Sequence, residues 1–285
     1  MGTLYIVATP IGNLGDITAR AIETMQNVDL IAVEDTRVTI KLLNYFNIKT
    51  KMISYHNFNE EKRTNEIITH LEQGRDIALV SDAGTPCISD PGFLLVKKSK
   101  EKGINVIGIP GPSAIINALA ISGLPSTNFT FYGFLAKENS KFNKQIKEIK
   151  ESIIPTFIFY ESPRRIVKLI DKLMSEFPNS FVSIASDMTK KFERNFFGPI
   201  EEVYEVIKND EKIEKGEYVI ILSKEKNKEN KKEESFSLEA LLIDTMIKEN
   251  ISIKDAIDFL SKQNKSLSKN KLYDASLNLK DLFKR

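Results

Sequence analysis

The sequence has little of what builds covalent or metal cross-links. One cysteine, Cys87, and two histidines, His56 and His70, stand among 285 residues. An intramolecular disulfide is excluded, and so are a Cys/His zinc site and a multi-histidine centre, so no metal is expected. An excess of one charge is lacking too. Lys and Arg total 41 against 39 Asp and Glu, a net charge of +2. That balance excludes a histone-like polycation and an acidic disordered chain, and leaves any nucleic-acid contact to local placement of charge. No run reaches the roughly 18 apolar residues that span a bilayer, and no basic segment precedes the first apolar stretch. The chain therefore reads as soluble and cytoplasmic, without membrane contact. Its length suggests two domains and a small appendix, enough to bury a core without staples.

What is present is a regular alternation. Apolar, β-branched runs at 4–9, 29–33, around Ile53, 76–81 and 104–109 read as strands. Between them, helical spacing is expected after a cap at Asp16 and over 36–46, 60–73 and 92–102, with Gly74 and Gly103 as stops. This predicts an α/β lobe over residues 1–112 with a largely parallel sheet. A second α/β lobe over 113–223 starts in a helix and has strands at 129–134, 155–160, 181–186, 192–197 and 217–222. Helices are expected near 139–151, 164–176 and 200–208, and the closer strand spacing predicts a mixed sheet. Residues 224–234 hold only Lys, Glu and Asn, which bury nothing, and read as a linker. Beyond it, residues 235–285 recover helical periodicity in about three helices, punctuated by Asn250 and Ser268. Nine basic against seven acidic residues make this module only mildly basic, so an interaction or packing role is expected at least as much as RNA binding.

Ligands of open α/β sheets bind outside the carboxyl ends of strands. Three such ends carry unusual loops here: Thr9 to Asp16, Ser81 to Gly92, and Pro110 to Ser113. Neither a G-x-G-x-x-G fingerprint nor a G-x-x-x-x-G-K-[ST] loop occurs, which argues against dinucleotide binding and removes P-loop hydrolysis. Each loop alone is an ordinary tight connection; together they point to a small-molecule pocket. Cys87 reads as a small apolar residue and His70 as a solvated helix residue. Lys137, Lys141, Lys144 and Lys147 recur at helical spacing as a basic stripe.

The runs LYIVATPIGNLGDIT, AVEDTR, ALVSDAGTPCISDPG, IPGPSA and FYESPRR, in this order across residues 4–223, resemble the tetrapyrrole-methylase superfamily. Within it they resemble the branch acting on bacterial ribosomal RNA; cobalamin-pathway relatives carry G-x-G-P-G-D and G-D-P patterns instead. Ile253-Lys254-Asp255-Ala256 and Asn270-Lys271-Leu272-Tyr273 resemble that branch's C-terminal module. The resemblance implies S-adenosylmethionine-dependent 2′-O-methylation of a cytidine ribose in the decoding centre of 16S ribosomal RNA. It also implies 16S rRNA or the small ribosomal subunit as partner, and a homodimer whose chains hold the cofactor in a cleft between two α/β lobes. One departure is Ser186-Asp187-Met188-Thr189-Lys190, where relatives have a basic residue and then Glu-Leu-Thr-Lys.

Carried over by position, Pro10, Ile11, Asp82, Thr85, Ser113 and Ala114 approach the cofactor, joined by Tyr160, Tyr218 and Val219 from the second lobe. Asp82 would hold the methionine amino group, or else close its own loop as an Asx-turn. A ribose hydroxyl is a weak acid, so a base is expected to help, and Glu34, Asp35 and Glu161 are the candidates, with His56 beside them. Glu34-Asp35 equally suits a helix N-cap. Arg37, His56, Arg164 and Arg165 are the expected RNA contacts, the arginines because they fork onto phosphates. The rivals are a small-molecule, tetrapyrrole-like methylase of the same fold and a non-catalytic RNA-binding protein.

Overall fold

The structure, a computed structural model, describes residues 1–224, 237–263 and 268–282. The chain divides into two compact units, Met1–Glu225 and Lys226–Arg285.

The first unit is built on two sheets. Strands β1 (Thr3–Val7), β2 (Leu30–Val33), β3 (Met52–Ser54), β4 (Ile77–Val80) and β5 (Asn105–Ile109) alternate with helices α1 (Ala19–Asn27), α2 (Thr36–Tyr45), α3 (Glu60–Glu72) and α4 (Phe93–Glu101). The strand order is β3-β2-β4-β1-β5, with every pair parallel. All four residues of β4 are buried, as expected of a parallel strand covered on both faces. Val7, Ile31 and Val80 pack one apolar layer, and Leu4, Ile77 and Leu79 the other, each layer filled by helices. Asp16 does not cap α1. It lies in a short 3₁₀ turn, and Thr18 caps the helix by accepting from the Ala21 N–H at 3.1 Å.

The second sheet follows α5 (Ala114–Ile121) and contains β6 (Phe129–Phe134), β7 (Thr156–Glu161), β8 (Phe181–Ser186), β9 (Arg194–Pro199) and β10 (Tyr218–Ser223). Its order, β6-β7-β10-β8-β9, is mixed: only β6 and β7 run parallel. Successive residues point to opposite faces. Phe157, Phe159, Ile220 and Leu222 therefore pack under α6 (Asn139–Glu151), α7 (Ile166–Glu176) and α8 (Ile200–Lys208), while Ile158, Val219 and Ile221 meet Ile115, Ala118 and Leu119 of α5.

The expected charged linker lies outside the described residues except for Lys224, which belongs to the first unit. Its ammonium donates to the carbonyls of Ile149 (2.7 Å), Lys150 (3.1 Å) and Ser152, satisfying the open C-terminus of α6. In the second unit, α9 (Leu238–Glu249), α10 (Ile253–Gln263) and α11 (Lys269–Leu282) bury Leu242, Ala256, Leu260, Leu272 and Ala275. Asn250 ends α9 in the left-handed region at φ 50°. Among the described residues no helix is long and apolar enough to cross a membrane.

Candidate active site

Strands β4, β1 and β5 are neighbours, so their C-terminal loops are brought side by side, and the chain ties these loops together. Thr9 and Gly84 exchange backbone hydrogen bonds at 2.8 and 3.0 Å, and the Thr9 hydroxyl donates to the Ser81 carbonyl at 3.1 Å. The Thr85 hydroxyl donates to the Pro112 carbonyl at 3.3 Å. Gly12 carries the first loop against the second lobe. A Cβ there would stand 2.9 Å from the Met188 carbonyl oxygen, so no larger residue fits without movement. The Ser81–Gly92 loop is strained: Cys87 (φ 70°) and Ser89 (φ 68°) occupy the left-handed region without being glycine. Strain of this kind persists where the surroundings over-determine a conformation, as functional loops do.

These loops and the end of the second sheet enclose a cavity of about 440 Å³. Seven of the nine residues expected at the cofactor line it: Ile11, Thr85, Ser113, Ala114, Tyr160, Tyr218 and Val219. Pro10 and Asp82 do not. Size and lining are those of a small-molecule site, largely apolar with a few placed polar groups. Phe134, 57% exposed, and Tyr160 stand 5.7 Å apart between ring centres and offer it an aromatic wall. The Tyr218 hydroxyl is committed elsewhere, donating to the carbonyls of Ile213 and Lys215, so its ring alone serves the cavity.

The carboxylates divide sharply. Asp35 caps α2 and grips Arg37 at 2.6 Å; the hydrogen bonds from Arg37 hold its carboxyl down at about 2. Glu34 is half-buried, pushed upward by burial and by Asp82. Asp82 is itself pushed up by burial, and accepts from the Asp35 N–H at 3.1 Å. Neither Glu34 nor Asp35 lines the cavity. Glu161 does, but its side chain is fully buried, with Oε1 accepting from the Ser162 N–H at 2.7 Å and Oε2 3.1 Å from Arg165. The carboxylate that faces the cavity without a cation is Asp90, raised to about 6 by burial and by Glu34 and Asp82. Sequence reasoning passed over Asp90 as one turn-former in a loop of them. Its trace was a second acid in the loop after β4, eight positions beyond Asp82. Among the described residues no three His, Cys, Asp or Glu are placed to hold a metal ion.

The profile of the Tetrapyrrole (Corrin/Porphyrin) Methylases matches residues 3–204. The chain belongs to that methylase family. Its relatives include proteins that bear the name Ribosomal RNA small subunit methyltransferase I. The protein from Escherichia coli O157:H7 is 40% identical over 97% of this chain and 95% of its own length. That from Halalkalibacterium halodurans is 47% identical over 78% of this chain and 75% of its own. Uroporphyrin-III C-methyltransferase from Thermus thermophilus, solved in complex with S-adenyl homocysteine, shares the fold with a TM-score of 0.52 and 17% identity, over 78% of this chain and 97% of that one.

Elsewhere in this methylase, the residues expected at RNA are dispersed. Arg37 has an 88% exposed side chain, and Arg164 is exposed. Arg165 is largely buried, holding Glu161 and donating to the Leu135 carbonyl at 3.4 Å. His56 is half-buried, with Nε2 3.1 Å from the Asn59 amide. The Cys87 thiol is pushed up to about 11 by burial, which removes it as a nucleophile near neutral pH. Asp187 takes φ 50° and holds Lys190 at 2.9 Å, so the departing segment is a folded loop packed against Gly12.

Proposed function

We propose that this chain transfers a methyl group from S-adenosylmethionine to the 2′-hydroxyl of a cytidine ribose in the decoding centre of 16S ribosomal RNA. The observation that carries this reading is the 40% identity to a small-subunit ribosomal RNA methyltransferase across 95% of its length. The cavity fits the cofactor: its volume is that of a small-molecule site, and an acidic wall suits a sulfonium and an ammonium. Ile11, Thr85, Ser113, Ala114, Tyr160 and Val219 would hold it. S-adenosylmethionine supplies an electrophilic methyl that needs no metal.

The protein's part is to orient and to take a proton. Positioning a lone pair in line with a reacting carbon accounts for much of the rate of such a transfer. Asp90 Oδ is the proton acceptor in this reading, replacing Glu34, Asp35 and Glu161, whose carboxylates lie off the cavity or are consumed by Ser162 and Arg165. Arg37 and Arg164 face solvent and suit the RNA backbone. A homodimer in the cytoplasm completes the proposal. The exposed, neighbouring Phe181 and Phe197, with ring centres 6.2 Å apart, support association, and light scattering showing a monomer at working concentration would refute it.

The decisive experiment is labelled-methyl transfer to purified small ribosomal subunits, with fragments mapped by mass spectrometry. Label on one decoding-centre cytidine ribose is expected. Label on a base, or transfer to a tetrapyrrole and not to the subunit, would overturn the proposal.

A further inference from the structure

A second, smaller cavity of about 260 Å³ lies between the N-terminal ends of α6 and α7. Lys137, Arg165, Lys168 and Lys172 line it with Asn139 and Phe142, and no acidic residue does. Arg165, Lys168 and Lys172 follow one another at spacings of three and four, which puts them on one face of α7. Lys137 joins them from the segment before α6. The cluster is organised: Lys172 Nζ sits 4.6 Å over the Phe142 ring and donates to Asn139 Oδ1 at 3.4 Å. Among the described residues, no ion pair involves Lys137, Lys168 or Lys172. Lys141 and Lys147 of the expected basic stripe, in contrast, are neutralised locally by Glu138 (2.9 Å) and Glu151 (3.7 Å). Those two are therefore ordinary solvated residues, whereas Lys137, Lys168 and Lys172 meet at the cleft.

The cleft adjoins the main cavity. Glu161 lines one and its ion-pair partner Arg165 lines the other, so a single pair forms the partition between them. Three ammonium groups without acidic partners in a concave site favour an anion, and long, flexible lysines suit a phosphate held as a point charge. We propose that this cleft holds a phosphodiester of the substrate RNA, next to the nucleotide whose ribose enters the main cavity. The proposal rests on the RNA-methyltransferase reading above. It gives that reading a register: a nucleotide extruded from its helix enters the cavity while its neighbouring phosphate is anchored across the Glu161–Arg165 partition.

The test uses the full chain, with a triple variant Lys137→Gln, Lys168→Gln, Lys172→Gln and a control Lys141→Gln, Lys147→Gln. Affinity for a fluorescein-labelled single-stranded RNA and for purified small ribosomal subunits is measured across a salt series. The triple variant is expected to bind at least about tenfold more weakly at low salt, with the log–log salt slope reduced by about 0.7, the share of the one phosphate held in the cleft. The control should match wild type, and all unfolding midpoints should agree. Lys172→Arg, which keeps the charge, should retain both affinity and slope. Wild-type affinity and slope in the triple variant would overturn the cleft assignment and leave the function standing. So would a loss of affinity at unchanged slope, which reports altered folding. Failure of wild type to bind either RNA or subunits would overturn the functional reading itself, and the cleft assignment with it.

Discussion

Replacing Asp90 by Asn separates function from stability at one position. A half-buried carboxylate facing other acids is ionised at neutral pH only at a cost to the folded state. Its folded value of about 6 lies above the ordinary 3.8. The gap corresponds to about 3 kcal/mol for a fully shielded group. Solvent reaching this half-exposed side chain reduces it to about 1 kcal/mol. The sign follows from the raised value. Stability associated with Asp90 is fully present below about pH 4, where the carboxyl is neutral in both states, and is lost as pH rises through about 6. Asp90→Asn should therefore be more stable than wild type by about 1 kcal/mol at pH 8, a rise of about 2–4 °C in unfolding midpoint for a chain of this size. At pH 4 the two should unfold together. Turnover should fall about 10²–10⁴-fold, because the proton acceptor is gone. The acidic limb of the pH–rate profile, centred near 6 in wild type, should flatten. Urea unfolding at both pH values and single-turnover methylation supply the readouts. Turnover within a few-fold of wild type with the limb intact would remove Asp90 as the base, and equal stability at pH 8 would refute its electrostatic environment.

Two further substitutions probe the framework. Arg165→Ala leaves Glu161 buried and without its cation, and should cost about 3 kcal/mol of stability, partly restored in the double variant with Glu161→Gln; full stability in the single variant would return Arg165 to the role of a free RNA contact. Gly12→Ala forces a Cβ to within 2.9 Å of the Met188 carbonyl oxygen and 2.6 Å of Lys190 Cγ, and should destabilise by about 1–3 kcal/mol while weakening cofactor binding in calorimetry. An alanine variant with wild-type midpoint and affinity would show that the two loops are not held in register.

Local pattern sufficed for the elements and their class. Apolar β-branched runs alternating with amphipathic stretches have few alternatives, because period and burial agree at each one. Glycines after α3 and α4 stop those helices through their positive φ of 88° and 70°. Motif order along the chain likewise identified the methylase family and part of the cavity wall, since loops after β1, β4 and β5 converge wherever those strands are neighbours. Which charged groups are available depends on the folded arrangement. Glu34-Asp35, Glu161 and Arg165 look reactive in one dimension, yet Asp35 is spent on Arg37, and Glu161 and Arg165 on each other. Asp90 was indistinguishable from its neighbours until the strained loop turned it toward the cavity. Lys137 became a partner of Lys168 and Lys172 only when α6 and α7 packed side by side. Periodicity and propensity act over a few residues and survive in the linear pattern. Charge compensation acts through space, between residues as far apart as Glu72 and Lys102, so the fold decides it.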